Sequence, residues 1–153
     1  MNFLLIGKPN VGKSSIYNIL TSGKNNIIHK EEGTTRDWHK SSVKNLDNIF
    51  IYDTPGVIIQ NDKIDKVHFS DLFNSIDKLM YVIDFNEKNY ENEIQSINKL
   101  RSLNKEIILV INKDDNAKKN LDTSLFGIKD IFYISCSHKI GIENIYEYLE
   151  QYE

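Results

Sequence analysis

The sequence has few of the residues that mark disulfide-rich, loop-rich or membrane-spanning proteins. Its 153 residues include one cysteine, two prolines and seven glycines. One cysteine excludes an internal disulfide framework and favours a reducing compartment. The opening apolar run, "FLLI", is too short to predict a leader peptide, and no stretch approaches the roughly 20 apolar residues of a membrane span. We therefore expect one soluble domain in the cytoplasm.

The charge balance excludes a chain that binds polyanions along its whole surface. The formal net charge is −3, with 40% hydrophobic and 27% charged residues, which is typical of a soluble globular domain. A contact with nucleic acid would need a local basic patch or another domain.

Four short apolar runs, separated by segments with helical spacing, predict the fold class. The runs are continuous rather than alternating, as in parallel strands covered on both faces, and they lie at 3–6, 79–83, 107–111 and 131–135. Residues 41–53 predict a hairpin that turns near Asp47 and Asn48. The sequence thus predicts one three-layer α/β domain over residues 1–153, with a mostly parallel sheet and one antiparallel edge strand.

The segment "GKPNVGKSS" (7–15) has the spacing of a phosphate cradle between a strand and a helix. Gly7 ends the strand, and Gly12 lets backbone N–H groups approach phosphate oxygens closely. Lys13 would reach the β- and γ-phosphates, and the Ser14 hydroxyl would bind Mg²⁺. This motif alone leaves an ATPase, a nucleotide kinase and a GTPase equally open.

A second phosphate signal, "DTPG", follows the predicted strand "NIFIY". Asp53 could hold Mg²⁺ through a coordinated water, and the Gly56 N–H could bond the γ-phosphate. The same tetrapeptide is also a good turn sequence. Its place at a strand end, some forty residues after the cradle, favours the functional interpretation.

The motif "NKDD" (112–115) predicts a loop that reads a guanine base. The Asp115 carboxylate can accept hydrogen bonds from N1–H and from the exocyclic amino group of guanine, and adenine does not offer that pair of donors. Asn112 would tie the loop to the cradle, and the stem of Lys113 would lie against the base. A nucleotide kinase or an ATPase is therefore disfavoured.

The segment "SCS", Ser135, Cys136 and Ser137, follows the last predicted strand. Its backbone N–H groups, notably that of Cys136, would face the guanine O6. Cys136 has no general base beside it in the sequence, so we interpret it as a small residue and not as a nucleophile.

These elements in this order resemble the P-loop GTPases of the translation-factor class over essentially the whole chain. "GKPNVGKSS" with "GTTRD" looks like the bacterial Era, MnmE and Der (EngA) group, and the ending "GIKDIFYISCSHKIGIENIYEYL" is similar to the first GTPase domain of Der. Der proteins carry two such domains in tandem plus a KH-like domain and serve assembly of the large ribosomal subunit. This chain has room for one.

The resemblance implies a switch that hydrolyses GTP to GDP and phosphate. It implies the large ribosomal subunit or its precursor as a partner, and a second GTPase domain or a nucleotide-dependent dimer as a further one. Switch I would span about 23–40, where Thr35, with Thr34 as the alternative, closes over Mg²⁺ and the γ-phosphate. Switch II would span about 53–68.

The resemblance also implies how the reaction would run. Val57 stands where Ras-like enzymes place a water-orienting glutamine, and neither Arg36 nor Arg101 has a clear claim to be an arginine finger. In the resembling family K⁺ can supply that charge, held by the P-loop asparagine, here Asn10, and by carbonyls leading into Gly33. Alternatively, Asn10 only tolerates the turn geometry. We expect slow intrinsic turnover; the rival hypothesis is a non-catalytic GTP/GDP-binding module.

The predicted catalytic residues are Lys13, Asn10, Thr35 and Gly56, and the predicted Mg²⁺ ligands are Ser14, Thr35 and Asp53. The predicted nucleotide-binding residues are Gly7, Asn10, Val11, Gly12, Lys13, Ser14, Ser15, Thr34, Thr35, Asp53, Gly56, Asn112, Lys113, Asp115, Ser135, Cys136 and Ser137.

Overall fold

A computed structural model describes residues 1–21, 27–30, 37–54, 58–60 and 63–153. The strands found there are β1 (Asn2–Gly7), β2 (Ile27–Lys30), β3 (Asp37–Val43), β4 (Leu46–Asp53), β5 (Ile59–Gln60), β6 (Lys63–Ile64), β7 (Lys78–Asp84), β8 (Glu106–Asn112) and β9 (Ile131–Tyr133). The helices are α1 (Lys13–Leu20), α2 (Lys66–Ser75), α3 (Glu91–Leu100) and α4 (Ile142–Glu150). Short 3₁₀ turns lie at Arg101–Leu103 and Ser124–Phe126.

Seven of these strands form one mixed sheet in the order β2-β3-β4-β1-β7-β8-β9. All neighbours from β4 to β9 in this order pair in parallel, whereas β3 runs antiparallel to both β4 and β2. The prediction of a mostly parallel sheet with an antiparallel strand is confirmed. The strand β2 pairs outside β3 and occupies the edge of the described sheet.

The predicted hairpin over 41–53 is confirmed, but its turn was placed three residues too late. The chain turns at Lys44 and Asn45, between β3 and β4. Asn45 has a φ of 65°, a left-handed conformation that asparagine tolerates better than most residues. The buried Leu46 then begins β4, because its apolar side chain belongs to the core.

The loop predicted over 23–40 is not irregular throughout, since it contains β2 and the first residues of β3. The antiparallel pair of strands β5 and β6 and the helix α2 were not predicted from the sequence. Helix α2 buries Phe69, Leu72 and Phe73, and the buried Ile76 follows directly after its last residue, so the four lie at helical spacing. That periodicity lies directly after the segment predicted as switch II, which ended at about residue 68.

The core lies on both faces of the sheet because successive residues of a strand point to opposite sides. In β1, Phe3 and Leu5 pack with helices α1 and α4, while Leu4 and Ile6 pack with α2 and α3. The molecule is therefore a three-layer α/β structure, as predicted. Within the described residues no helix has the length and apolar character that crossing a membrane would require.

Parallel pairing brings the carboxyl ends of several strands to one edge of the sheet. Strand β1 ends at Gly7, β4 at Asp53, β7 at Asp84 and β8 at Asn112, and Asp84 is directly opposite Asn112 in the register. In open α/β sheets, ligands bind in the crevice outside this edge.

Candidate nucleotide-binding site

The turn from β1 to α1 requires glycine at both of its ends. A Cβ at Gly7 would collide with the backbone carbonyl oxygen of Val82, and one at Gly12 would collide with the side-chain amide nitrogen of Asn112. Gly12 also has a left-handed φ of 103° directly before the first residue of α1. The two glycines therefore let the loop pack against the neighbouring strands while its backbone N–H groups face the cavity.

The ammonium group of Lys13 lies across this loop. It donates to the carbonyl oxygens of Gly7, at 2.9 Å, and of Lys8, at 2.8 Å. Burial lowers the pKa of Lys13, and the charge of Asp53 opposes that shift. The lysine is thus held at the cavity by the loop's own backbone.

Ser14 and Asp53 come together from different elements, α1 and β4. The Ser14 hydroxyl donates to Oδ2 of Asp53 at 3.3 Å, and Asp53 is only 8% exposed. Burial raises the pKa of Asp53, against the effect of the Ser14 hydrogen bond and of the nearby Lys13. Hydroxyl and carboxylate oxygens are suitable ligands for Mg²⁺, so this donor set fits that ion.

A cavity of about 410 Å³ opens at the loop. Its lining includes Asn10, Ser14, Ser15 and Asp53, and it continues past the loop to Tyr81 and Ser96.

Asn112 connects the phosphate loop to the two loops that follow β8 and β9. Its side-chain nitrogen donates to the carbonyl oxygen of Val11 at 2.9 Å, and its side-chain oxygen accepts from the Cys136 N–H at 3.2 Å. The residue is 3% exposed, and both ends of its amide have partners. It therefore sets the distance between the cradle and the base loop.

Lys113 makes a second connection between the same loops. Its ammonium group donates to the carbonyl oxygen of Asn10 at 2.7 Å and lies 3.1 Å from a carboxylate oxygen of Asp84. Asp84, at the end of β7, was not predicted as part of the site. Because both partners hold the ammonium group, the position of the Lys113 side chain is fixed between the phosphate loop and the end of β7.

The Asp115 carboxylate is oriented by groups from the loop after β9. It accepts hydrogen bonds from the Ser135 hydroxyl at 2.6 Å and the Ser137 hydroxyl at 3.4 Å, and His138 Nδ1 lies 3.4 Å away. The Ser135 hydrogen bond is the main cause that lowers the pKa of Asp115. The carboxylate is therefore ionised at neutral pH and acts as a hydrogen-bond acceptor.

The sequence analysis assigned the Cys136 N–H to a base oxygen, but here this group donates to Asn112. The contact of this N–H with a guanine oxygen therefore stays a prediction. Burial raises the pKa of the Cys136 thiol to about 11, so the thiol is protonated at neutral pH.

Three of the predicted site residues, Thr34, Thr35 and Gly56, lie outside the described residues, as does Val57. Asn10 is described, with a left-handed φ of 67°. This conformation supports the alternative in which asparagine is present for the turn, and it leaves the side chain at the cavity lining.

Asp114, the other acid of "NKDD", orders the loop that follows. It is 2% exposed, and its carboxylate accepts from the backbone N–H groups of Lys118 at 2.9 Å and Lys119 at 3.0 Å. Sequence reasoning missed this role and that of the Ser135 hydroxyl. A signal for Asp114 was available, because an acid directly after a buried strand often bonds the N–H groups of the next turn.

Comparisons with known proteins agree with this geometry. A family profile described as "50S ribosome-binding GTPase" matches residues 2–113. The GTPase Der of Campylobacter jejuni is 32% identical over 165 residues, covering 99% of this chain and 34% of that protein. The GTPase Der of Nautilia profundicola is 35% identical over 156 residues, covering 97% of this chain and 34% of that protein. The chain thus spans about a third of the length of these curated relatives.

Solved structures show the same fold. The G domain of the T. maritima FeoB iron transporter superposes with a TM-score of 0.70 at 23% identity, over 99% of this chain and 98% of that one. An S. thermophilus NFeoB mutant bound to GDP gives a TM-score of 0.77 at 20% identity, over 99% of this chain and 60% of that one. Since the family profile matches well over half of its residues, the chain belongs to the family of 50S ribosome-binding GTPases, as a P-loop GTPase domain that is similar to GTPase Der.

Proposed function

We propose that the chain binds GTP and GDP with Mg²⁺ and hydrolyses GTP to GDP and phosphate as a conformational switch. The observation that carries the proposal is the link through Asn112. It joins a loop built for phosphate to a loop that presents an ionised carboxylate. A ligand with phosphates at one end and two neighbouring hydrogen-bond donors at the other fits both loops at once.

The phosphate end supplies positive charge and oxygen ligands. Backbone N–H groups at the start of α1 favour an anion, and the Lys13 ammonium lies beside them. The Ser14 and Asp53 oxygens would hold Mg²⁺, which neutralises phosphate charge when bound. Phosphoryl transfer to water depends on such positioning and charge stabilisation more than on covalent chemistry.

The base end of the proposed site distinguishes guanine from adenine. Asp115 accepts hydrogen bonds, and the N1–H and amino groups of guanine donate them, whereas adenine has an acceptor at the first of these positions. A site that pairs both donors of guanine rejects a base that lacks them, because the wrong base leaves polar groups without partners.

The charge needed in the transition state comes, in this proposal, from K⁺ bound near Asn10. Asn10 lies in the lining of the cavity. Its backbone carbonyl oxygen accepts a hydrogen bond from the Lys113 ammonium group. Without K⁺ or a partner, turnover is slow. Thr35, or Thr34, and Gly56 would complete the site over the γ-phosphate and make the order of switches I and II depend on GTP.

The place of action is proposed from the relatives. The family is described as ribosome-binding, and Der is the protein name that recurs among the relatives. We propose a cytoplasmic role in assembly of the large ribosomal subunit, with a second GTPase domain or a nucleotide-dependent dimer as a further partner.

The test is single-turnover GTP hydrolysis in KCl and in NaCl at equal ionic strength. The wild type is compared with Asn10→Gly, because glycine accepts a φ of 67° without strain and removes only the side chain. We expect the rate to rise in K⁺ by about tenfold or more for the wild type and not for the variant.

The matched control is Asn45→Gly, since Asn45 has a φ of 65° in the hairpin turn. This control should keep the K⁺ effect. Tight GTP binding with equally slow rates for every protein and salt would contradict cation-assisted hydrolysis and support the non-catalytic GTP/GDP-binding module.

A further inference from the structure

Helix α3 carries a buried carboxylate that the proposed reaction does not use. Glu93 is 2% exposed, and within the described part of the chain neither of its carboxylate oxygens has a hydrogen-bond partner. Its Oε1 lies 3.2 Å from the ammonium nitrogen of Lys8, so the two residues form an ion pair. The contact does not have the geometry of a hydrogen bond. Lys8 is the second residue of the phosphate loop, so this ion pair joins α3 to the cradle.

The surroundings of Glu93 make stability a poor explanation for the pair. The phenols of Tyr81 and Tyr90 are close enough for the negative charge of Glu93 to raise their pKa, although burial is the larger cause for both. Removing a carboxylate from water is costly, and one partly exposed lysine repays that cost incompletely. Buried ion pairs are often replaceable by apolar residues without loss of stability, so stability alone does not explain this pair.

Lys8 contributes to the cradle through its backbone as well. Its carbonyl oxygen accepts from the Lys13 ammonium at 2.8 Å, and the residue lines the cavity. The contacts form a continuous path: Glu93 holds the side chain of Lys8, and the main chain of Lys8 holds Lys13. Lys13 is the cation assigned to the β- and γ-phosphates, so a shift of Lys8 moves the charge that faces the reacting group.

We propose that Glu93 is a positioning residue for phosphoryl transfer, acting through Lys8 on Lys13. The inference rests on the proposed function, because it concerns the same cradle. Small displacements of a positioned group lower the rate of a chemical step more than they lower ground-state binding. Glu93 therefore acts mainly on hydrolysis and little on the affinity for GDP.

The first measurement compares Glu93→Met with the wild type in single-turnover GTP hydrolysis and in GDP binding. Methionine fills the buried space and removes both the charge and the acceptor oxygens. We expect hydrolysis to slow about tenfold or more while the Kd for GDP changes less than about threefold. Glu93→Gln, which keeps one acceptor oxygen for Lys8, should give an intermediate rate.

Glu91→Met is the matched control, because Glu91 is exposed on the same helix. It should leave both measurements unchanged. A Glu93→Met protein that hydrolyses GTP at the wild-type rate would overturn the inference, and so would equal losses in rate and in GDP affinity.

A double-mutant cycle tests whether the effect passes through Lys8. Lys8→Met and the pair Lys8→Met/Glu93→Met complete the cycle. If Glu93 acts through Lys8, the double variant is no slower than Lys8→Met alone. If the two effects multiply, Glu93 acts by another route and the inference fails. Lys8→Arg, which keeps a cation in reach of Glu93, should retain most of the wild-type rate.

Stability is measured on the same proteins by urea unfolding. The double variant replaces the whole ion pair by apolar side chains, so it should unfold at a urea concentration no lower than the wild type while remaining slow. A rate that follows stability across all variants would mean a structural role and would overturn the inference. A wild type that does not bind GDP would instead overturn the proposed function, so the two failures are distinguishable.

Discussion

At the scale of single residues, one buried amide joins the phosphate loop to the loop after β9. Asn112 satisfies a carbonyl of the phosphate loop with its nitrogen and an N–H of the last loop with its oxygen. A side chain that offers both a donor and an acceptor is needed here, and aspartate or leucine could not replace it. Nucleotide affinity and local stability therefore depend on the same residue.

We predict that Asn112→Ala destabilises the folded chain by about 2–4 kcal/mol, because it leaves two buried backbone groups without partners. It should also weaken GDP binding by about tenfold or more, since the cradle and the base loop lose their link. Urea unfolding and a GDP titration measure the two effects. Asn116→Ala, at an exposed position in the same loop, is the control. If Asn112→Ala has the same free energy of unfolding and the same GDP affinity as Asn116→Ala, the bridging role is contradicted.

At the scale of elements, helix α4 is attached to the sheet through a buried lysine. Lys78, the first residue of β7, donates to Glu106 at 2.9 Å, to the Tyr148 hydroxyl at 3.2 Å and to the Tyr152 hydroxyl at 2.8 Å. Burial alone would lower the pKa of Lys78, but these hydrogen bonds together raise it. The hydrogen bond from Lys78 lowers the pKa of Glu106.

We predict that Lys78→Met lowers the free energy of unfolding by about 1–3 kcal/mol at neutral pH. A lysine with a raised pKa contributes stability below its ordinary pKa, and a glutamate with a lowered pKa contributes stability above its ordinary pKa. The difference from the wild type should therefore be constant between about pH 5 and 10, and shrink as acid protonates Glu106.

Urea unfolding at pH 7 and at pH 3.5 measures this difference, with Lys88→Met, at an exposed position, as the control. A difference that grows on acidification would show that the cluster is not held by the Glu106 charge.

At the scale of the whole molecule, the site exists only when the sheet is complete. Its parts come from the ends of β1, β4, β7, β8 and β9, which lie far apart in the chain and meet at one edge. A nucleotide that contacts all of them binds the folded chain and not the unfolded one. Binding is therefore linked directly to global stability.

We predict that Mg²⁺ and GDP at 100 times the Kd raise the free energy of unfolding by about 2.7 kcal/mol. ADP at the same concentration should have no measurable effect, because Asp115 finds no pair of donors on adenine. Urea unfolding with each nucleotide is the measurement. If the stabilisation by ADP corresponds to an affinity within about tenfold of the affinity for GDP, base recognition by Asp115 is contradicted.

The amino-acid sequence alone predicts the local elements: the phosphate loop, the motif proposed to read the base, and the strands β1, β7, β8 and β9. Each depends on short-range properties, such as glycines at a turn or a continuous apolar run between polar ends. Helix α2 could also have been predicted, because Phe69, Leu72, Phe73 and Ile76 have helical spacing.

Which distant groups meet depends on the folded molecule. The Asn112 bridge, the Asp84–Lys113 ion pair and the Lys8–Glu93 ion pair each join residues separated by more than 20 positions. The spacing of Glu93 to the buried Ile97 and Leu100 places it on the core face of α3, but the local pattern does not show that Lys8 is its partner. The physical reason is that burial and partnership arise from packing, and packing depends on the register of strands and helices across the whole sheet.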